Sequence, residues 1–252
     1  MKLRVLDRLA WKLSGNGRGI TIAILDSGFS RSHPALSGVA VEEARSFVGE
    51  NPLVDKVGHG TECTSILVAQ PGYGGLEGVA PAVTLLVGQI INAQGKGPVE
   101  ALCLALEWVI NLKVDVLAIP SGRVGDHPRL RQLVETEIAA GTVIVAPVGN
   151  LYCGQKNSLY PAAYPGVVSA GCEADLESYR DWVHPPDALM SVDGVPVCAS
   201  NRGWGVGTDT SHATMLAAGF ACLFHSVSGT TSFLTGSGFC TALSEVSMTG
   251  SE

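Results

Sequence analysis

The sequence predicts an α/β fold with a mostly parallel central sheet covered by helices on both faces. Short runs that are fully apolar and suit buried strands alternate with helical segments of about 11 to 15 residues. Strands without a polar face are typical of parallel sheets that are buried on both sides. No internal repeat interrupts this alternation, so we expect residues 1–252 to form a single domain.

The elements follow one another in a regular order. Residues 1–19 are expected to form an N-terminal helix and its lead-in, because leucines recur at helical spacing before a glycine-rich turn. Residues 226–252, rich in Ser, Thr and Gly, are expected to be a loosely ordered tail, and residues 44–55 to be irregular. The remaining predicted elements are strands 20–25, 83–91, 114–119, 142–146, 167–170 and 195–199, and helices 63–69, 98–112 and 127–140.

Composition excludes several classes of partner. The net charge of −7 comes with few, scattered basic residues, which argues against nucleic acid and against an anionic membrane surface. No apolar run approaches the roughly 18 to 20 residues of a membrane span, and the charged N-terminus lacks a signal-peptide core, so we expect a cytoplasmic protein. The seven cysteines cannot all pair and are expected to be reduced.

The stretch G-T-D-T-S-H-A-T-M-L-A-A-G, from Gly207 to Gly219, places Ser211 where a loop meets an apolar helix. Unpaired backbone N–H groups and the positive end of the helix dipole favour negative charge there. Such a position suits a serine nucleophile and the oxyanion that it creates. The alternative interpretation of this stretch is that Ser211 is only an N-cap.

Two polar residues lie at or shortly after the ends of predicted buried strands. Asp26 ends the strand I-T-I-A-I-L, and Asn150 follows the strand at 142–146. Both residue types are common in turns. However, the carboxyl ends of parallel strands are also where open α/β sheets place their functional residues.

His59 lies between two glycines, Gly58 and Gly60, at the start of a helix of small and apolar residues. The glycines allow a tight turn that leaves the imidazole accessible. Cys63 stands four residues further on the same helix and could share a metal with His59, but no third and fourth ligands occur at suitable spacing. We therefore favour a catalytic or a structural histidine over a zinc ligand.

Together these residues match the needs of acyl transfer. The reaction requires a nucleophile, a base, an acid that orients the base, and donors for the oxyanion. The order Asp26, His59, Ser211 resembles that of the subtilisin-like serine proteases, the subtilases. The motifs that carry this resemblance, spread from about residue 20 to 224, are A-I-L-D-S-G, G-H-G-T, G-V-A-P, E-W-V-I-N-L-K-V-D-V-L, V-A-P-V-G-N, Y-P-A-A-Y-P and T-S-H-A-T.

The resemblance implies a subtilisin-like three-layer fold and a serine endopeptidase. Ser211 would be the nucleophile, and His59 would serve as general base and then general acid. Asp26 would orient His59, while the Asn150 side chain and the Ser211 backbone N–H would hold the oxyanion. A peptide or protein would be the substrate, with no cofactor.

The resemblance also implies where the substrate lies. Ser121 and Gly122 would run beside the substrate backbone, which would add to them as a strand, and Leu151 and Leu159 would line the first side-chain pocket. No metal is expected. In particular, Ala35 stands where many subtilases have an acid that helps to bind a structural calcium.

Three residues depart from the family pattern. Asp209 replaces the glycine that usually stands two residues before the nucleophile, Met215 replaces a proline, and Pro120 replaces a serine of the substrate-binding strand. The Asp209 carboxylate would raise the pKa of His59, favour basic substrates, or point to solvent.

These departures leave more than one function open. The leading hypothesis is an active protease, with a processing or maturation role as its narrower form, since too few residues precede the first strand for a folding propeptide. The alternative is a catalytically silent module of the same fold that binds a peptide or a partner. An esterase or transpeptidase with the same residues is a third hypothesis.

Overall fold

The computed structural model describes residues 15–73, 77–151, 157–199 and 203–228. The helix predicted within residues 1–13 and the tail beyond residue 228 lie outside these ranges. Within them, no helix is both long enough and apolar enough to cross a membrane. Five cysteines fall in the described ranges, and each is buried and free of a disulfide.

A seven-stranded parallel sheet forms the centre of the molecule. Its spatial order is β2-β3-β1-β4-β5-β6-β7, and every neighbouring pair of strands is parallel. The predicted parallel sheet is therefore confirmed. The strands are β1 (Thr21–Asp26), β2 (Val41–Ser46), β3 (Thr84–Gln89), β4 (Val116–Ala118), β5 (Val143–Pro147), β6 (Val168–Cys172) and β7 (Ala188–Met190).

Helices cover both faces of the sheet, as predicted. In β1, Ile22 and Ile24 belong to the core on one face, and Ala23 and Leu25 belong to the core on the other. This alternation explains why the strand has no polar face. The helices of the first face are α1 (His59–Val68) and α4 (Thr210–Ser228), and those of the second are α2 (Val99–Leu112) and α3 (Pro128–Ala139).

Some predictions at the margins of the sheet were wrong. The region 44–55 is not irregular throughout, because β2 occupies its first three residues as an edge strand with exposed glutamates. The strand predicted at 195–199 pairs outside the main sheet: β8 (Pro196–Cys198) forms an antiparallel ribbon with β9 (Trp204–Val206). The first residues of the predicted tail, 226–228, belong to the last turn of α4.

Candidate active site

Asp26 and His59 are in direct contact. Asp26 ends β1 and is 2% exposed, and His59 is the first residue of α1 with a side chain that is 30% exposed. The Nδ1 atom of His59 lies 2.8 Å from Oδ2 and 2.9 Å from Oδ1 of Asp26. Gly60 permits this approach, since a Cβ there would lie 2.2 Å from the carbonyl oxygen of Gly28. The G-H-G motif thus brings the helix start against the end of β1.

A second carboxylate, Asp55, holds the loop that carries His59. Asp55 is 7% exposed, and its Oδ1 accepts hydrogen bonds from the Ser27 hydroxyl at 2.9 Å and the Gly58 N–H at 2.8 Å. Its Oδ2 accepts from the backbone N–H of Thr61 at 2.8 Å and from the Thr61 hydroxyl at 2.7 Å. The carboxylate is thus buried with several donors around it, which is how a buried charge becomes tolerable.

Asp55 therefore ties together the two segments that present the acid and the imidazole. Ser27 follows Asp26 directly. Its hydroxyl group accepts a hydrogen bond from the Gly60 N–H at 2.9 Å and donates one to Asp55. We did not single out Asp55 from the sequence. The available signal was an acid four residues before His59, within a segment that we expected to be irregular.

The surroundings of His59 favour its protonated form. The negative charge of Asp26 raises the pKa of His59 well above its usual value, and burial opposes this only in part. The thiol of Cys63 lies beside the ring, 3.8 Å from Nε2. Burial raises the pKa of the Cys63 thiol to about 12, so the thiol stays protonated at neutral pH.

The fold brings a third possible metal ligand, Asp26, to His59 and Cys63, which the spacing along the sequence did not show. Ligand atoms of Asp26, His59 and Cys63 all lie within 4.8 Å of one another, and they form the one such group in the described part of the chain. A structural zinc site has four protein ligands, whereas this group has three. The carboxylate of Asp26 is also already engaged by Nδ1 of His59. This chemistry favours an acid–imidazole pair over a metal centre.

Ser211 is the second residue of α4 and is 9% exposed. Its backbone N–H donates to Oδ1 of Asp209 at 3.0 Å, and the same oxygen accepts the His212 N–H at 3.1 Å. Asp209, not Ser211, therefore caps the helix, and the N-cap interpretation of Ser211 is wrong. The Asp209 carboxylate turns toward the helix although its side chain is 24% exposed.

Asp209 contacts the side chain of His212 as well as backbone donors. Its Oδ1 lies 2.8 Å from Nδ1 of His212. Burial alone would raise the pKa of Asp209, but hydrogen bonding and charge from His212, with a weaker contribution from the charge of His59, hold it below the usual value. The charge of His59 thus acts on the residue that precedes α4, and α1 and α4 are in contact.

Asn150 is linked to the same helix start. It follows β5, and its Oδ1 accepts the Thr210 backbone N–H at 3.1 Å and the Thr210 hydroxyl at 2.8 Å. These two bonds fix the carbonyl side of the amide group. They also bring Asn150 next to the residue that precedes Ser211 along the chain.

The predicted substrate-binding segment lies beside the loop that carries Leu159. Gly122 is in close contact with that loop, since a Cβ there would lie 2.7 Å from Cβ of Leu159. Ser121 is half-buried, and two residues further Arg123 exchanges backbone hydrogen bonds with Tyr160 at 2.9 and 3.0 Å. The end of the segment thus pairs in antiparallel fashion with the backbone of the Leu159–Tyr160 loop.

A cavity of about 360 Å³ opens next to this segment, with Leu159, Tyr160, Val124 and Val183 in its wall. Val124 and Val183 are largely exposed. Leu151 packs instead against a small apolar cluster that includes Tyr179 and Trp182. The pocket roles of Leu151 and Leu159 stay predictions.

The sheet thus carries an aspartate–histidine pair at its carboxyl edge, and a serine lies at the start of a helix that contacts the helix of the histidine. The family model described as the subtilase family of peptidases matches residues 17–235, and the chain belongs to this family. The resemblance seen in the motifs is thereby confirmed.

Individual relatives agree with this assignment at modest identity. The chain is 27% identical over 228 residues to the Major intracellular serine protease of Bacillus subtilis (strain 168), covering 86% of this chain and 71% of the relative. It is 34% identical over 158 residues to Subtilisin DY of Bacillus licheniformis, covering 62% and 57%. It is 29% identical over 217 residues to the Minor extracellular protease Epr of Bacillus subtilis (strain 168), covering 85% of this chain but 33% of the relative.

Proposed function

We propose that this chain is a serine endopeptidase in which Ser211 is the nucleophile and His59 the general base. The observation that carries the proposal is the contact of 2.8 Å between Nδ1 of His59 and Oδ2 of Asp26. Because Nδ1 is engaged by the carboxylate, Nε2 is the ring atom left to take the Ser211 proton. The subtilase membership of the chain supports the same roles.

The chemistry follows from these positions. Ser211 Oγ attacks the scissile carbonyl carbon as its proton passes to Nε2 of His59, and the adjacent Asp26 charge stabilises the resulting imidazolium. The carbonyl oxygen becomes an oxyanion held by the Asn150 amide group and the Ser211 N–H. His59 then protonates the leaving amine, and water hydrolyses the acyl-enzyme by the same proton route. Asp55 keeps the His59 loop in place throughout.

The substrate is a peptide or protein in extended conformation beside Ser121 and Gly122. Pro120 has no N–H to offer to it. Leu159 narrows the cleft where it packs on Gly122, and the neighbouring cavity accommodates an apolar side chain. We further propose an intracellular processing role, supported by the similarity to the Major intracellular serine protease and by five buried free cysteines.

One observation favours a second candidate function, a silent peptide-binding module. The Ser211 N–H, which acyl transfer needs for the oxyanion, is already bonded to Asp209. A member of the family that had lost catalysis would tolerate such a contact. The two functions differ in whether Ser211 is nucleophilic.

Labelling with a fluorophosphonate tests the proposal. We expect folded protein to gain one phosphonyl group per chain by intact mass, and Ser211→Ala and His59→Ala to gain none. Ser226→Ala, which changes a serine in the last turn of α4 far along the chain from the site, is the matched control and should label as the wild type does. Absence of any adduct on folded wild-type protein would favour the silent module.

A further inference from the structure

The nucleophile's own backbone donor is engaged within the protein. Oδ1 of Asp209 lies 3.0 Å from the nitrogen of Ser211 and 3.1 Å from that of His212. These are two of the donors at the N-terminus of α4, and such donors have no partner inside the helix. A carboxylate therefore sits where the oxyanion would need a donor.

We propose that Asp209 limits the rate of this peptidase by occupying the Ser211 N–H, so that its carboxylate must leave before the oxyanion can bind. The inference rests on the proposed function, because it assumes that Ser211 forms a tetrahedral intermediate. It makes Asp209 a self-inhibitory residue of the active site.

The competition is electrostatic as well as steric. The oxyanion and the Asp209 carboxylate are both negative and accept the same N–H. A carboxylate that stays in place would repel the developing charge at close range in a site that is largely buried. Asn150 would then be the remaining donor of the two that the proposed mechanism uses.

His212 holds Asp209 in the occupying position. Its ring is almost fully buried, and its Nδ1 lies 2.8 Å from Asp209 Oδ1 and 3.2 Å from the nitrogen of Thr208. The Asp209 side chain is partly exposed, so it has room to rotate outward. That rotation breaks its contact with His212 and the hydrogen bonds from both backbone N–H groups. The cost of that rotation is added to the barrier of the reaction.

The charge of Asp209 has one opposing effect. It favours the imidazolium of His59, which forms as the serine proton is transferred. We expect the direct hydrogen bond from the nucleophile's N–H, at 3.0 Å, to outweigh this effect. Removal of the carboxylate should therefore accelerate the reaction.

Two variants and a matched control test this inference. Asp209→Gly removes the acceptor, and glycine is itself an acceptable N-cap; Asp209→Asn keeps the cap and removes the charge. Asp193→Asn, an exposed aspartate elsewhere, removes one charge without touching Ser211. The readouts are the second-order rate of fluorophosphonate labelling at Ser211, kcat/KM on fluorescein-labelled casein, and the melting temperature.

We expect Asp209→Gly to raise the labelling rate and kcat/KM at least about tenfold, a part of the 10²- to 10³-fold that one oxyanion donor is typically worth. Asp209→Asn should give a smaller rise, and Asp193→Asn none. The melting temperature should stay the same or fall in Asp209→Gly. A purely structural cap predicts the opposite, since its loss would lower activity together with stability.

The inference is overturned if both folded Asp209 variants label Ser211 at the wild-type rate or more slowly. In that case the proposed peptidase stands and Asp209 is only a cap. Absence of labelling in the wild type and in every variant overturns the proposed function and this inference together. The two failures are thus distinguishable by whether Ser211 reacts at all.

Discussion

Two helix starts in this molecule each have a carboxylate that accepts backbone N–H groups, and the two carboxylates act differently. At α1, Asp55 comes from the preceding loop and accepts from Gly58 and Thr61, on either side of His59. At α4, Asp209 is the residue immediately before the helix, and its carboxylate accepts a hydrogen bond from the N–H of Ser211 itself. The first carboxylate supports the loop of the proposed general base, whereas the second accepts an N–H that the proposed reaction needs.

The comparison shows that preorganisation depends on which donors a carboxylate takes. Around α1, the donors that Asp55 binds have no part in the proposed chemistry, so holding them costs the reaction nothing. Around α4, stability of the helix and stabilisation of the oxyanion compete for the same N–H. The α1 side is therefore ready for the reaction, and the α4 side must rearrange.

The largest expected effect is on the α1 side. Asp26→Asn should lower kcat/KM about 10⁴-fold, because the amide favours the wrong tautomer of His59. The Asp26 charge raises the pKa of His59, so its removal lowers that pKa. Since the base must be neutral, the acidic limb of the pH profile should move to lower pH. Stopped-time casein assays between pH 5 and 10 measure both effects, and a loss below tenfold would disprove the role of Asp26.

A smaller effect is expected on the α4 side. Asn150→Ala should lower kcat by about 10²- to 10³-fold with little change in KM, as loss of one oxyanion donor does. Steady-state kinetics measures the two constants separately. In the Asp209→Gly background, where the Ser211 N–H is free, the same change should cost less. An equal rise in KM would instead indicate a role in substrate binding.

Asp55→Asn tests whether the support of the His59 loop matters for stability and rate. An amide offers one acceptor oxygen in place of two, which leaves buried donors of Ser27 or Thr61 without a partner. We expect a loss of about 1 to 3 kcal/mol in the free energy of unfolding and a fall of about tenfold in kcat. Urea denaturation and casein kinetics report these values. The matched change Asp209→Asn should cost less stability because the Asp209 side chain is partly exposed, and equal losses in the two variants would contradict this difference.

The smallest expected effect is that of metal removal. Because the group around Cys63 offers three ligands and Asp26 is bound to His59, treatment with 1,10-phenanthroline should leave the rate of Ser211 labelling unchanged. Elemental analysis should find no zinc released from the protein by this treatment. A loss of labelling that zinc restores would instead support a metal centre at Asp26, His59 and Cys63.

Sequence reasoning predicted the parts of the fold whose residues carry their own signal. β1 and β5 are apolar on both faces, so the sequence predicted that they are buried in a parallel sheet. β2 was missed because an edge strand pairs on one side only and keeps polar, exposed residues. β7 and β9 have three residues each and stand in no longer apolar run, whereas the three residues of β4 lie within the predicted run 114–119.

The site was predictable to the same extent. Asp26 and His59 stand in motifs that implied their contact, and the fold brings them together. Asp55 was missed because its role depends on Ser27 and Thr61 converging in space. The orientation of the Asp209 side chain toward α4 depends on its rotamer, which no sequence pattern predicts. Its preference for N-cap positions was a usable signal, but we placed the helix start at Ser211.

The central claim is that the Asp26–His59 pair makes Ser211 a nucleophile. Peptide mapping by mass spectrometry after fluorophosphonate treatment tests it most directly. The account predicts a single adduct on the peptide that contains Ser211, at a rate that falls in parallel in His59→Ala and Asp26→Asn. An adduct on another residue, or labelling of Ser211 that is indifferent to both substitutions, would contradict it.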